Sequence, residues 1–359
     1  MSGAGRAKAL ILAAILLAGG LKTVMAQDGG QRIGLLAPLS GPFSAFGEQL
    51  RRGAEAALSG SGIQLVIEDD QCSESGGRDA ANRLIGANVA IAVGGVCWRA
   101  GLAALDVLDA SGRVLITPAI TDERLTAEGR GGRAVFRLAV PDRAMPQALA
   151  EAGLTLAPQG PVVVLAAAGL SGEALSESLA EALDAAGRPP AHREIFEPDE
   201  AGLRRAAARA EAEAPRLVFL LGGHADLAAL TAVLRTRLGD GAVLIGAESL
   251  SSPEYPLLAE EAANGVYFLA RSFLREQAEP ERLAELEAEE PALGYVLAAY
   301  AATEIAAAAL AAEGPLRLTE EAFATIIGPV RFSSAGETEG LRPVLYRWQD
   351  GVPVRVTSD

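Results

Sequence analysis

Short apolar runs that end in Gly, Cys, Thr or Pro alternate along this chain with longer stretches of helical periodicity, and that alternation limits the folds open to it. Two of the runs are Val89-Ala-Ile-Ala-Val-Gly-Gly-Val-Cys97 and Val114-Leu-Ile-Thr-Pro-Ala-Ile-Thr121, with a helical stretch from Arg99 to Ala110 between them. Before them come a strand at Arg32–Ala37, a helix at Ser44–Ser59, a strand at Gln64–Asp70 and a helix at Arg78–Ile85. A βαβαβ series of this kind builds a parallel sheet with right-handed crossovers.

After a strand at Val135–Ala139 and a helix opened by Pro141, a second series begins. Strands at Pro161–Ala166, Arg193–Phe196, Leu217–Leu221, Val243–Gly246 and Gly265–Leu269 alternate with helices at Gly172–Ala186, Ala201–Ala214 and Ala225–Leu238. The fold class is therefore α/β, with two doubly wound lobes in tandem. The remainder reads as helices at Glu279–Glu289, Ala292–Glu313 and Leu318–Ile327 and a hairpin made of Pro343–Trp348 and Pro353–Val356. With 359 residues, half of them hydrophobic, the chain can fill two cores. In open α/β sheets ligands sit outside the carboxyl ends of the strands, beside helix N-termini. That rule puts Cys97-Trp98-Arg99 and Ala119-Ile120-Thr121 on neighbouring loop tips facing one crevice.

Residues 1–26 read as a signal peptide. Arg6 and Lys8 precede an apolar run, Ala9 to Ala18, that is too short to span a bilayer, and Val24-Met25-Ala26 fits a cleavage site. The alternative is an N-terminal membrane anchor. An exported chain cleaved after Ala26 is periplasmic. Its removal takes Arg6, Lys8 and Lys22 and no acid, so the formal charge moves from −15 to −18 and no lysine remains. Without lysine there is no Schiff base and no phosphate-binding Walker loop. The acidic balance excludes nucleic acid as a partner.

Chemistry finds little to work with. Of the two histidines, His192 precedes an edge-like strand, while His224 follows Gly222-Gly223 past a strand end. Gly169-Leu-Ser171-Gly172 lacks the spacing of a nucleophile elbow, Gly94-Gly95 lacks the dinucleotide fingerprint, and no His, Cys and acid group has zinc spacing. The expectation is a binding protein with no catalytic residues, no cofactor and no metal. Cys72 and Cys97 are an even pair in an exported chain and read as a disulfide; the alternative is two reduced, buried thiols. Gly129-Arg-Gly-Gly-Arg133 is either a solvated turn or an anion nest.

Several stretches, in their order and spacing, resemble one family. They are Pro38-Leu-Ser-Gly-Pro42 with Phe46-Gly47, Glu68-Asp-Asp-Gln-Cys72, Gly94-Gly-Val-Cys97, Ile116-Thr-Pro-Ala-Ile-Thr121, Gly222-Gly223, Gly246-Ala-Glu248, Ala299-Tyr300-Ala301 and Tyr346-Arg-Trp-Gln-Asp-Gly351. The whole mature chain is similar to the leucine/isoleucine/valine-binding periplasmic proteins that serve ABC transporters. The resemblance implies a type I periplasmic binding protein fold, two lobes joined by three hinge crossings. Lobe one would comprise residues 27–139 plus 272–330, and lobe two residues 140–271 plus 331–359. It also implies the Cys72–Cys97 bridge, an amino acid of branched-chain type or a related carboxylate or amide as ligand, and a membrane permease as partner. The same fold serves ligand-sensing regulatory modules that act on a protein partner, which is the alternative.

Carried over residue by residue, the resemblance gives Thr121 the ligand carboxylate and the Ala119 carbonyl the ammonium, with Glu248 as counter-ion. Ile120 lies within the same loop, Phe46 packs on the ligand side chain and His224 stands where an aromatic forms the wall. The sequence departs from the family at two walls. Trp98 occupies the place of a small hydroxyl residue, where an indole either shrinks the pocket or stacks on a flat ligand. Its neighbour Arg99 either reaches a carboxylate or is solvated. In the second lobe an acid and a Tyr give way to Gly169-Leu-Ser171, which leaves Ser171 as the hydrogen-bonding side chain there.

Overall fold

A computed structural model describes residues 31–270, 274–312 and 318–357, the side chains of residues 170 and 171 excepted. The signal peptide reading at 1–26 lies outside the described residues.

The first series folds as expected. Strands β1 (Arg32–Ala37), β2 (Gln64–Asp69), β3 (Ile91–Gly94), β4 (Val114–Thr117) and β5 (Val135–Arg137) form one sheet in the order β2-β1-β3-β4-β5. Every pairing in it is parallel. Helices α1 (Ser44–Ala57), α2 (Glu74–Gly86) and α3 (Trp98–Ala110) make the crossovers. Helix α2 starts earlier than the apolar periodicity indicates, because the Ser73 hydroxyl caps it by accepting from the Gly76 N–H at 3.0 Å.

The second sheet runs β14-β13-β10-β9-β8-β6-β7. Its strands β6 (Val162–Ala167), β7 (His192–Phe196), β8 (Leu217–Leu221), β9 (Val243–Gly246) and β10 (Tyr267–Ala270) pair in parallel. The C-terminal hairpin, β13 (Val344–Gln349) and β14 (Val352–Arg355), adds antiparallel to β10. Helices α4 (Ala144–Leu156), α5 (Leu170–Ala185), α6 (Glu200–Ala212) and α7 (His224–Leu238) cover this sheet. Apolar clusters fill the space between each sheet and its helices; β6 and β8, buried along their whole length, read as uninterrupted apolar runs for that reason.

Between β10 and the C-terminal hairpin the chain returns to the first lobe. A short helix α8 (Glu254–Ala259) precedes β10; after it come α9 (Leu274–Gln277), α10 (Pro280–Leu286) and α11 (Val296–Ala311). α11 lies against α1, where Gly53 leaves no room for a Cβ: it would stand 2.2 Å from the Val296 carbonyl oxygen. The chain thus passes between the sheets three times.

One expectation needs correcting. The helix read at Leu318–Ile327 is instead the first strand of a hairpin, β11 (Ala322–Thr325) paired with β12 (Gly328–Arg331). Phe323 and Thr325 alternate inward, β-branched residues follow, and Gly328 turns the chain at φ +88°. Residues 332–338 lie on the first lobe: Phe332 packs edge-on against Phe136 of β5, the Arg137 N–H donates to the Gly336 carbonyl at 2.7 Å, and the Thr338 N–H donates to the Arg137 carbonyl at 3.1 Å. Within the Gly129–Arg133 turn, Gly131 and Gly132 seat this segment. A Cβ at Gly131 or Gly132 would stand 2.0 or 2.1 Å from the carbonyl oxygens of Ala335 and Ser334.

Candidate ligand cleft

In each sheet the strand order reverses once, between β1 and β3 in the first and between β6 and β8 in the second. Loops leaving the carboxyl ends of such neighbours diverge and open a crevice.

On the first lobe, the loop after β1 is tied to the end of β2, where Asp69 Oδ1 accepts from the N–H groups of Leu39 and Gln71, both at 2.9 Å. Burial opposes the Asp69 charge, but hydrogen bonds from Ser40, Gln71 and Leu39 outweigh it and lower its pKa. Phe46, in the first turn of α1, is 39% exposed and meets Tyr295 edge-on at 5.7 Å. After β3, Gly94 (φ +119°) and Gly95 (φ +81°) bring the chain against Leu36, whose carbonyl accepts from the Gly95 N–H at 2.8 Å. α3 then opens at Trp98, and its first-turn N–H groups lie at the switch point. Cys97, at its N-cap, is disulfide-bonded to Cys72, with Cα atoms 5.2 Å apart.

Trp98 is half-buried and sits under cations. The Arg124 guanidinium lies 3.9 Å from the ring centroid and that of Arg99 4.6 Å. Asp122 holds Arg124 through both carboxylate oxygens, and this pairing lowers the Asp122 pKa. Arg99 is exposed and stands 3.6 Å from Glu74. The indole is therefore stacked on the protein's own guanidinium groups, a partner absent from both alternatives read from the sequence.

The loop after β4 is shaped by the buried Thr117, whose hydroxyl accepts from the Ile120 N–H at 3.1 Å. Ala119 is buried and Thr121 half-buried. The Thr121 carbonyl is turned inward, accepting from Arg137 Nη1 at 2.7 Å and from the Asp142 N–H at 3.1 Å. Ile120 turns its side chain inward. It is 1% exposed, and its Cδ1 fills the space that Cβ atoms at Gly95 and Gly101 would need.

On the second lobe, Gly222 (φ +138°) and Gly223 follow β8 and lead into His224, the first residue of α7. His224 Nε2 stands 2.9 Å from Glu254 Oε2 of α8. Ser171 falls in the first turn of α5, its side chain outside the described residues. Glu248 opens a short 3-10 turn at the end of β9 and is half-buried.

A cavity of about 1500 Å³ starts at Gly222, Ala247 and Glu248, takes in Asp142 and Arg143 of the first crossing and Glu123 of the first lobe, and continues between α4 and α5. Of the predicted residues whose side chains are described, Glu248 lines it; Phe46, Trp98, Arg99, Thr121 and His224 lie beyond its walls. Its carboxylates, Glu123, Asp142, Glu151, Glu181 and Glu248, outnumber Arg143, so its field favours a positive group. Sequence reasoning missed Asp142 and Arg143, which belong to a crossing and not to a strand tip. It also missed Arg137, whose signal was present: one arginine within the apolar run Val135-Phe-Arg-Leu-Ala139.

A family model described as "Periplasmic binding protein" matches residues 30–354. The chain belongs to this family. It is 28% identical over 342 residues to "Leu/Ile/Val-binding protein homolog 3" of Brucella melitensis, an alignment covering 89% of this chain and 91% of that one. Among solved structures, an ABC transporter substrate-binding protein from Desulfitobacterium hafniense in complex with Leu superposes with a TM-score of 0.66, at 19% identity, over 91% of this chain and all of that chain (100%). A solute-binding protein from R. palustris in complex with benzoate gives 0.62 at 19% identity, over 91% and 96%. At these identities the two structures speak for the fold of the periplasmic binding protein.

Proposed function

We propose that this periplasmic binding protein is the extracytoplasmic receptor of an ABC uptake system and that it holds an amino acid, or a related small carboxylate or amide, between its two sheets without transforming it. The observation that carries this reading is the complementarity of the two edges. The first lobe offers a helix N-terminus at Trp98 and the half-buried Thr121, while the second offers the carboxylate of Glu248. A zwitterion that loses water when the lobes close needs a partner for each charge. In this reading the Thr121 hydroxyl and the first N–H groups of α3 take the carboxylate, and the Ala119 carbonyl and Glu248 take the ammonium. Phe46 packs on the ligand side chain, Trp98 under its guanidinium cover narrows the first-lobe edge, His224 and Ser171 belong to the second-lobe edge, and Arg99 stays with Glu74. The names of the Brucella and Desulfitobacterium relatives support this ligand class, and the benzoate complex keeps aromatic carboxylates within it.

Closure around the ligand would present the occupied form to a membrane permease. Export with loss of residues 1–26 belongs to the same reading. A thermal-shift screen of the chain from Gln27 across amino acids, amides and aromatic carboxylates tests it. At least one compound is expected to raise the melting temperature progressively, with the logarithm of its concentration above Kd; a flat response across the panel contradicts the reading.

A further inference from the structure

Arg137 ends β5, directly before the first crossing, and is 0% exposed. All five of its guanidinium N–H donors are used. Nε donates to Glu337 Oε2 at 2.9 Å and Nη2 to Glu337 Oε1 at 2.8 Å and to the Thr126 hydroxyl at 2.7 Å. Nη1 donates to the carbonyls of Thr121 at 2.7 Å and Asp122 at 2.8 Å. One side chain, standing on the strand that leads into the first crossing, thus joins the loop after β4 to the third crossing that carries Glu337.

The backbone reinforces the joint. The Arg137 carbonyl accepts from the Thr338 N–H and from its hydroxyl at 2.7 Å. The Asp142 N–H, within the first crossing, reaches back to the Thr121 carbonyl. Arg143, at the start of α4, stands 3.6 Å from Glu337.

Stability alone does not call for this arrangement. The adjacent contact between Phe136 and Phe332 shows that the same two segments pack through apolar groups, and buried ion pairs are commonly replaced by apolar residues without loss. A planar fork of five donors does something an apolar pair does not: it fixes which way carbonyl groups point.

We infer that Arg137, clasped by Glu337, is a positioning residue for ligand binding: it keeps the Thr121 and Asp122 carbonyls turned away from the cleft and makes the ligand loop and two crossings one mechanical unit. This rests on the reading above that Ala119 and Thr121 meet the ligand. With those two carbonyls held inward, the Thr121 hydroxyl is free for an anion. With the crossings tied to the loop, lobe closure and loop geometry change together.

The test compares Arg137→Lys and Glu337→Gln with Ile305→Ala, which opens the first-lobe core on α11 away from the joint. Hydrogen exchange is followed on the chain from Gln27 without ligand, at the amides of Arg137, Asp142 and Thr338. In both joint variants all three amides are expected to lose protection together, by about tenfold or more, while β1 and β8 keep theirs. Ile305→Ala is expected to lower protection through the first-lobe core without singling out those amides. If Arg137→Lys does not fold, Glu337→Gln, which keeps a hydrogen-bonding side chain in place, decides the matter. Loss at one segment only, or none, overturns the joint. Titration with L-leucine is the second arm. If the wild type binds it, affinity is expected to fall about tenfold or more in both joint variants and to stay unchanged in Ile305→Ala; unchanged affinity in the joint variants overturns the positioning role. A wild type that binds no amino acid, amide or aromatic carboxylate of the panel refutes the proposed function, and the exchange arm still decides the joint.

Discussion

Asp70 is 1% exposed, and its carboxylate accepts from the Cys72 N–H at 2.8 Å beside the disulfide. Burial pushes its pKa up to about 6; the Cys72 N–H pulls it down and the neighbouring Asp69 charge pushes it up again. The folded chain therefore binds this proton more tightly than the unfolded chain does. The resulting stability is fully present below the unfolded value of 3.8 and is lost as pH rises to about 6. Asp70→Asn is expected to raise stability by about 1–2 kcal/mol at pH 7.5 and to flatten the curve between pH 4 and 6. Urea midpoints measured across pH 4 to 8 check this; an unaltered slope would place the titration elsewhere. At this scale the sequence revealed positions and hid directions. The loop tips after β3 and β4 were legible as Cys97–Arg99 and Ala119–Thr121 because strand ends are marked by Gly, Thr and Pro. That Ile120 turns into the core and that Arg124 covers Trp98 depends on neighbours brought in by the fold.

Elements built from local signals came through with small shifts. β8 and β9 match their apolar runs, and α6 starts one residue early because Asp199 caps it, accepting from the Gly202 N–H at 2.6 Å. The segment at Leu318–Ile327 did not, since the partner that makes it a strand is the β12 segment and its alternation is short. The Gly129–Arg133 loop is the clearest case of meaning set from a distance. Gly131 and Gly132 face backbone contributed by residues 334–336, so nothing local distinguishes it from a solvated turn. Gly132→Ala forces a Cβ onto the Ser334 carbonyl at a position of φ +75°. It is expected to destabilise the chain by about 1–3 kcal/mol. Urea denaturation followed by circular dichroism measures it, and a change within about 0.5 kcal/mol would show the third crossing to be seated otherwise.

For the whole molecule, two tandem βα series were sufficient to read two doubly wound sheets, since crossover handedness and switch-point position follow from strand order. The route of the third crossing was not readable. Arg137 and Glu337 are 200 positions apart, and nothing in either local stretch announces the other. The joint proposed above has a mechanical consequence: a hinge fastened to the proposed ligand loop would let occupancy of the cleft set the angle between the lobes.

The central claim, that the cleft holds a small charged ligand between Thr121 and Glu248, is tested most directly by calorimetric titration of the wild type and Glu248→Gln with the L-amino acid that gives the largest thermal shift. One ligand per chain is expected, and Glu248→Gln is expected to weaken it by about 2–4 kcal/mol as the ammonium loses its buried counter-charge. Equal affinity in the two proteins would contradict the claim.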